Sequence, residues 1–195
     1  MLVGLFIVGG GVNRALTGGG SSSATNSAPE YKLTVPKTVA DGKYRLEQDL
    51  SSTMDKAMDG RQNGANEHDM KSSAGRYAAG ADTLVVMGMY GRIDDPETAR
   101  DSLLRGTARS EGGEVTVEPR EITPTGSDES LKCQVMILDE GDGNAPMCVW
   151  ADSGTVSAVV ENSAENAAES PGSIDLEAFA QKVDGIRDEV RAPLG

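Results

Sequence analysis

The sequence predicts an α+β domain in which helices pack on one face of a largely antiparallel sheet. Two observations lead to this fold class. Three strand-like runs, at 131–138, 147–151 and 155–160, follow one another closely with turn residues between them. Two other segments, 91–106 and 174–191, combine helical spacing of apolar residues with charges or caps suited to helix ends.

The first part of the domain is predicted to contain a strand and then a helix. Residues 31–35 alternate apolar and polar side chains and stop at Pro36, as a short edge strand does. Apolar residues then recur every four positions, which predicts an amphipathic helix ended by Gly60; they are Leu46, Leu50, Met54 and Met58. We expect a polar loop over 60–71, and the small residues of 72–81 leave a short helix as one interpretation.

The most hydrophobic run of the domain, 83–90, predicts a central strand. Gly88 inside it indicates a bulge or the close approach of another backbone. The segment 114–122 alternates Val and Thr and is interrupted by Pro119, so we expect a strand at the edge of the sheet. The polar segment 161–173 is interpreted as a linker.

Two helices carry clear end signals. The first has Asp94 or Asp95 as its cap, Pro96 at its first position, Glu97 in its first turn, Leu103 and Leu104 on its buried face and Gly106 at its expected end. The second has one apolar face, formed by Ile174, Phe179, Val183, Ile186 and Val190. The acidic residues Asp175 and Glu177 lie near its start, and the basic residues Arg187 and Arg191 lie near its end, as the helix dipole favours.

The N-terminal 30 residues predict an anchor followed by a tether. The apolar run at 1–12 is shorter than the roughly 20 residues that a spanning helix needs, and it lacks the basic flank of a signal peptide. We interpret 1–17 as a membrane anchor or the remnant of a transmembrane helix with its true start upstream. Residues 18–30 are interpreted as a flexible Gly/Ser linker, and 31–195 as the extracytoplasmic domain. A cytoplasmic protein with an apolar N-terminus is the alternative.

The charge composition of the chain argues against nucleic-acid binding. Among 195 residues, 31 are acidic and 18 are basic, which gives a net charge of −13. Such a field repels phosphate backbones and anionic lipid headgroups, so we predict no nucleic-acid binding. Acidity spread over the whole chain is typical of a solvated surface rather than of a binding site.

Cys133 and Cys148 flank a segment rich in turn signals, downstream of the apolar N-terminus. This arrangement predicts a disulfide across two antiparallel strands in an oxidising compartment. Pairing the two cysteines centres the hairpin between positions 140 and 141, whereas a tight turn at 142–143 would place Cys148 opposite Ile137. We favour the bond with a longer or bulged loop, and two reduced core thiols are the alternative.

Asp152 begins the tetrapeptide Asp-Ser-Gly-Thr, which matches the D-[ST]-G-[ST] pattern of aspartic proteases. That chemistry needs two carboxylates that share a proton, and hence two copies of the motif or a symmetric dimer. Because the chain has one copy, we interpret the motif as a turn between two strands. A dimeric aspartic-type hydrolase using Asp152 stays as an alternative.

Two further groups of polar residues are candidate sites. Asp139, Asp142 and Asn144 could approach a calcium ion, but their spacing differs from an EF-hand, so we favour a solvated turn. His68 is the only histidine and lies between two acidic residues in a predicted polar loop. A zinc site would need further nitrogen or sulfur ligands, and the nucleophile-elbow motif is absent from the sequence, so neither site is predicted.

Three stretches carry a resemblance to a known group: YKLTVPKTVADGKYRL, TLVVMGMYGRIDDPETARDSLLRG, and CQVMILDE with MCVWADSGTVSAVV. Together they resemble uncharacterised actinobacterial membrane proteins, especially streptomycete ones, over most of residues 31–161. The resemblance implies a cytoplasmic Pro-rich region, one transmembrane helix and an extracytoplasmic domain with paired cysteines at Cys133 and Cys148. It implies no catalytic residues. The sequence begins without the cytoplasmic region that the resemblance implies, so we expect the true start to lie upstream.

We therefore predict a non-catalytic binding or sensing domain of a membrane-anchored protein of the cell envelope. No catalytic residue, cofactor or metal is predicted, and the only site residues that we predict are Cys133 and Cys148, joined by a disulfide. The predicted partners are the membrane, through the N-terminal segment, and an envelope protein or small ligand. The alternatives are a hydrolase built on Asp152 or His68 and a purely structural envelope component.

Overall fold

The structure, a computed structural model, describes residues 31–58, 64–110, 114–137 and 143–194. The predicted anchor at 1–17 and linker at 18–30 lie outside the described residues, as does Gly60. No helix in the described part of the chain is long and apolar enough to cross a membrane.

The described residues form ten strands, four α-helices and one turn of 3₁₀ helix at Pro171–Ser173. The strands are β1 Tyr31–Leu33, β2 Thr38–Val39, β3 Tyr44–Asp49, β4 Glu67–Ala79, β5 Asp82–Ile93, β6 Glu114–Ile122, β7 Leu131–Ile137, β8 Asn144–Ala151, β9 Thr155–Asn162 and β10 Arg191–Pro193. The helices are α1 Ser51–Ala57, α2 Pro96–Ser110, α3 Ala164–Ala168 and α4 Leu176–Val190.

Eight strands form one sheet in the order β2-β3-β4-β5-β9-β8-β7-β6, in which every pairing is antiparallel. The short strands β1 and β10 pair with each other in a separate two-stranded sheet. The predicted α+β class with a largely antiparallel sheet is therefore confirmed. Strand β5 lies inside the sheet and β6 at one edge, as predicted.

The helices occupy both faces of the sheet, which corrects the expected single face. Successive side chains of a strand point to opposite faces of the sheet, so the residues of β8 divide between two cores. Cys148 and Trp150 belong to the core beneath α4. Met147 and Val149 belong to a second core that includes Ala99 and Leu104 of α2. The sheet is thus the middle layer between α4 on one side and α1 and α2 on the other.

The predicted helix at 46–58 is wrong in its first half. Leu46 lies in β3, opposite Tyr77 of β4, and only Ser51–Ala57 is helical. The spacing of four predicted one continuous helix, whereas the chain passes at Leu50 from a strand into a short helix. The backbone N–H of Leu50 donates to the carbonyl of Ala74, 2.8 Å away, and this bond joins the start of α1 to β4.

The expected loop at 60–71 is correct for 64–66 but wrong from Glu67 onward, and the short helix expected at 72–81 is wrong. Residues Glu67–Ala79 form β4, which pairs with β5 over most of its length. Its small residues admit close packing: a Cβ at Gly75 would lie 2.7 Å from the Tyr77 ring. Tertiary contact of this kind overrides the weak strand propensity of Ala, Gly and Ser.

Gly88 lies where two strands approach closely, one of the two alternatives predicted for it. A Cβ at this position would lie 2.5 Å from the Ser157 Cβ and from the Val156 carbonyl oxygen of β9. The pairing with β9 continues through Gly88 without a shift in register.

Helix α2 begins as predicted and ends later. Asp95 is its cap, accepting from the Thr98 N–H at 3.1 Å and the Thr98 hydroxyl at 2.7 Å. The helix continues through Gly106 to Ser110, and a Cβ at Gly106 would meet open space. Leu104 is buried while Leu103 is half-buried.

The segment predicted as a linker, 161–173, is folded. Strand β9 continues to Asn162, and Ser163 caps α3 by accepting from the Asn166 N–H at 3.2 Å. Helix α4 then confirms the predicted apolar face, and the Asp175 carboxylate caps it by accepting from the Ala178 N–H at 2.9 Å. Arg191 lies beyond the helix, in β10.

Candidate functional site

The predicted disulfide is present. Cys133 and Cys148 are bonded, with Cα atoms 4.1 Å apart, and they face each other in the pairing of β7 with β8. Ile137 pairs with Asn144, so the connection is the longer one rather than the tight turn. The connection itself, including Asp139 and Asp142, lies mostly outside the described residues.

Asn144 supports a structural rather than a calcium-binding interpretation at the described end of this hairpin. Its side-chain amide donates to the Glu169 carbonyl, 2.7 Å away, which joins β8 to the end of α3. The part of the chain that the structure describes contains no group of three or more His, Cys, Asp or Glu that could hold a metal ion.

Asp152 occupies the turn between β8 and β9, as predicted. One carboxylate oxygen accepts from the backbone N–H groups of Gly154, at 2.6 Å, and Thr155, at 2.7 Å. The other accepts from the Thr155 hydroxyl at 2.6 Å and from the Arg191 guanidinium. Both oxygens are therefore engaged in holding the turn and in binding the C-terminal strand.

Two arginines extend this contact into an ionic network. Arg187 pairs with Asp184 and with Glu129, the latter at 3.0 Å, and its side chain is only 6% exposed. Arg191 also reaches Glu129 at 3.3 Å, and its guanidinium lies 5.5 Å from the centre of the Tyr31 ring. The network fixes α4 and both strands of the small sheet against the end of β8, which is a structural role.

His68 lies in β4 rather than in the loop predicted for it. Its Nε2 atom lies 2.9 Å from the Asp94 carboxylate, at the open end of the β4–β5 hairpin. The guanidinium of Arg92 lies 3.5 Å from the same carboxylate. The structure therefore places an acid beside His68, and no hydroxyl nucleophile contacts the imidazole among the described residues.

A polar cavity of about 220 Å³ lies where α3, α4 and the end of β9 meet. Glu161 of β9 is 5% exposed there, and its carboxylate accepts from the Tyr44 hydroxyl at 2.5 Å and from the Lys182 ammonium at 2.8 Å. Burial, followed by the hydrogen bond and the charge of Glu161, raises the pKa of Tyr44 well above its ordinary value. Since the buried carboxylate already has two hydrogen-bond partners within the protein, we interpret this cluster as structural.

The second concave surface is apolar. We call it the α1 groove; it measures about 390 Å³ and runs between α1 and the sheet face that α2 also covers. Its eight lining residues are Leu50, Thr53, Met54, Ala57, Ala74, Val85, Met87 and Val160. None of these eight side chains is charged, on a chain in which a quarter of the residues are.

The groove exists because α1 is short and packs loosely. None of the residues of Ser51–Ala57 is buried, although Met54 points its apolar side chain into the groove. Val85 and Met87 of the interior strand β5 are only half-buried on this face, whereas Leu84 and Val86 on the other face are buried. The sequence signal for the groove is the Leu50–Met54 spacing, which predicts the buried face of a longer helix than the one observed.

The known proteins give no further guidance to this site. Comparisons with protein-family models, curated proteins and solved structures found no match to this chain. Any functional assignment therefore depends on the geometry described above.

Proposed function

We propose that the described domain is a non-catalytic binding or sensing domain, held at the outer side of a membrane by the N-terminal segment, and that its ligand is apolar. The observation that carries the proposal is the α1 groove. Its volume of about 390 Å³ falls within the range of roughly 300–1,000 Å³ typical of small-molecule sites. Its uncharged lining supplies apolar contact and lacks the acid or base that general acid–base catalysis uses.

The disulfide supports the proposed location at the outer side of a membrane. Such bonds persist in oxidising compartments and are rare in the cytosol. Mass spectrometry of non-reduced peptides from protein exported by the native host should recover the Cys133–Cys148 cross-linked peptide. Two free thiols in that sample would contradict an extracytoplasmic location.

Ligand binding is tested with a neutral apolar fluorophore, N-phenyl-1-naphthylamine, titrated into the full chain. We expect saturable fluorescence enhancement in the wild type and at least tenfold weaker binding in Thr53→Trp, because the indole fills the groove. Ser52→Trp is the matched control, since Ser52 is an exposed neighbour on α1 that does not line the groove.

The result is informative only if all three proteins are folded, which circular dichroism and thermal unfolding verify. Binding that is absent from the wild type, or equal in all three proteins, would contradict an apolar site in the α1 groove.

A further inference from the structure

We propose that the α1 groove holds the aliphatic chain of a single free fatty acid, with the carboxylate at the rim beside Lys56. The inference rests on the proposed function and names the class of ligand. Three properties of the groove carry it: the chemistry of the lining, the volume, and the charge at the rim.

The lining favours an unsubstituted aliphatic chain. Seven of the eight lining side chains are aliphatic or thioether groups, and none is aromatic, so the described lining offers no ring for stacking. Thr53 supplies the only side-chain hydroxyl. A ligand with polar substituents along its length would leave them without hydrogen-bond partners, which is costly. Met54 and Met87 can adjust to the conformation of a chain because their side chains are unbranched.

The volume favours one chain rather than two. A methylene group, like a water molecule, occupies roughly 30 Å³. The groove, at about 390 Å³, therefore accommodates roughly a dozen methylene groups. A two-chain membrane lipid exceeds this capacity. The occupant that fits is thus a monomeric single-chain amphiphile.

The rim carries a positive charge, at Lys56, that pairs with a negatively charged head of the ligand. Thr53 and Ala57 are exposed, so the groove opens to solvent along α1 and a polar end of the ligand can stay in water. Lys56 lies three positions after Thr53 and is therefore its neighbour on the helix surface. The Lys56 side chain makes no hydrogen bond or ion pair with any group in the part of the chain that the structure describes. The nearest acid on α1, Asp55, accepts from the Ser72 N–H at 3.1 Å.

The test is displacement of N-phenyl-1-naphthylamine by saturated fatty acids of 8 to 16 carbons, each below its micellar concentration. We expect the affinity to rise about two- to fourfold for each added methylene, because each removes apolar surface from water. The rise should stop near a dozen carbons, when the groove is full. Affinity that is independent of chain length would overturn the assignment of an aliphatic chain.

The carboxylate is tested separately by charge. Lys56→Gln should weaken dodecanoate binding about two- to fivefold, as expected for an exposed ion pair, and leave binding of dodecanol unchanged. Lys71→Gln, at an exposed lysine of β4, is the matched control and should bind dodecanoate like the wild type. Equal dodecanoate binding by Lys56→Gln and the wild type would overturn the placement of the carboxylate.

These outcomes separate the two proposals. If the fluorophore binds the wild type and not Thr53→Trp, yet no fatty acid displaces it, the fatty-acid assignment is wrong and the apolar site stands. If the fluorophore does not bind at all, the proposed function itself is wrong.

Discussion

At the residue scale, Glu161 shows how a buried charge is made tolerable in this fold. A carboxylate on an interior strand loses its hydration, and this cost must be offset by hydrogen bonds and an opposite charge. Tyr44 supplies one hydrogen bond from β3, and Lys182 supplies the charge from α4. One side chain thereby links the sheet to the helix that covers it.

Tyr44→Phe removes the hydroxyl and leaves the carboxylate one donor short. We expect the free energy of unfolding to fall by about 2 kcal/mol, since hydrogen bonds to charged groups contribute roughly 1.5–3 kcal/mol. Urea unfolding at neutral pH measures the change. Tyr90→Phe, at a half-buried tyrosine that makes no such bond in the described structure, is the control and should lose less than half as much.

At the scale of elements, the helices differ sharply in how firmly they are attached. Helix α4 buries seven of its fifteen residues against the sheet, including Phe179, Val183 and Ile186. Helix α1 buries none and is joined to β4 by the Leu50–Ala74, Ser51–Ala74 and Asp55–Ser72 hydrogen bonds. Helix α1 is therefore the less firmly packed of the two helices.

Truncations in the two helices should therefore have unequal costs. Ile186→Ala is expected to lower the free energy of unfolding by about 3 kcal/mol, because it leaves a cavity in a closed core. Met54→Ala should cost less than about 1 kcal/mol, because the side chain is only partly removed from water. Chemical denaturation of both variants gives the comparison, and equal losses would contradict the loose packing of α1.

The disulfide is the covalent link between elements β7 and β8, and both of its cysteines are fully buried. It closes a loop with a sequence separation of 15, for which the chain-entropy model gives about 3 kcal/mol. Replacing both cysteines by alanine should lower the free energy of unfolding by about that amount. Reductant during unfolding should destabilise the wild type and leave the variant unchanged; a variant still sensitive to reductant would contradict this origin of the effect.

At the scale of the whole molecule, the two ends of the described chain are fastened together. Strand β1, directly after the predicted linker, pairs with β10, and Thr34 bonds to the Val190 carbonyl through both its N–H, at 2.8 Å, and its hydroxyl, at 3.0 Å. Leu33 is 5% exposed and belongs to the core beneath α4. The predicted linker at 18–30 is therefore followed directly by a strand that is part of the fold.

This arrangement predicts where truncation becomes harmful. A chain that starts at Tyr31 should unfold at the same temperature as the full chain, because every described contact is retained. A chain that starts at Thr34 should be destabilised by about 2 kcal/mol, since it loses β1 and the burial of Leu33. Calorimetry of the two truncated proteins tests this, and equal stability would show that β1 is dispensable.

The stability of the whole molecule should also decrease at alkaline pH. Burial raises the pKa of Tyr77 from 10.0 to about 12, with smaller contributions from Asp49 and Glu189. The unfolded chain releases this proton above pH 10 while the folded chain retains it, so the stabilisation is complete below pH 10 and is lost as the pH rises towards 12. The loss approaches about 1.4 kcal/mol per pH unit for one group. Urea unfolding between pH 8 and 11.5 should show a shallower decline in Tyr77→Phe than in the wild type.

Much of the fold could be predicted because its signals are local. The Asp95–Pro96 start of α2, the apolar face of α4 and the strands around the cysteine pair depend on neighbours a few positions away. The register of Cys133 with Cys148 followed because a disulfide requires two strand positions to face each other. Of the candidate site, the sequence predicted the apolar spacing on α1 and the strands that contain Val85, Met87 and Val160, but not the groove between them.

The sequence by itself predicted the fold class, the disulfide and the start of α2 at Pro96, because each is encoded in residue type and spacing. Only the tertiary structure decided that Ser72–Ala79 extends as part of β4, since small residues take the conformation that their packing partners permit. It also decided that the helices divide between two faces and that Glu161 is buried. The α1 groove belongs to this second group, because a space between elements is defined by what does not pack there, and no local pattern encodes it.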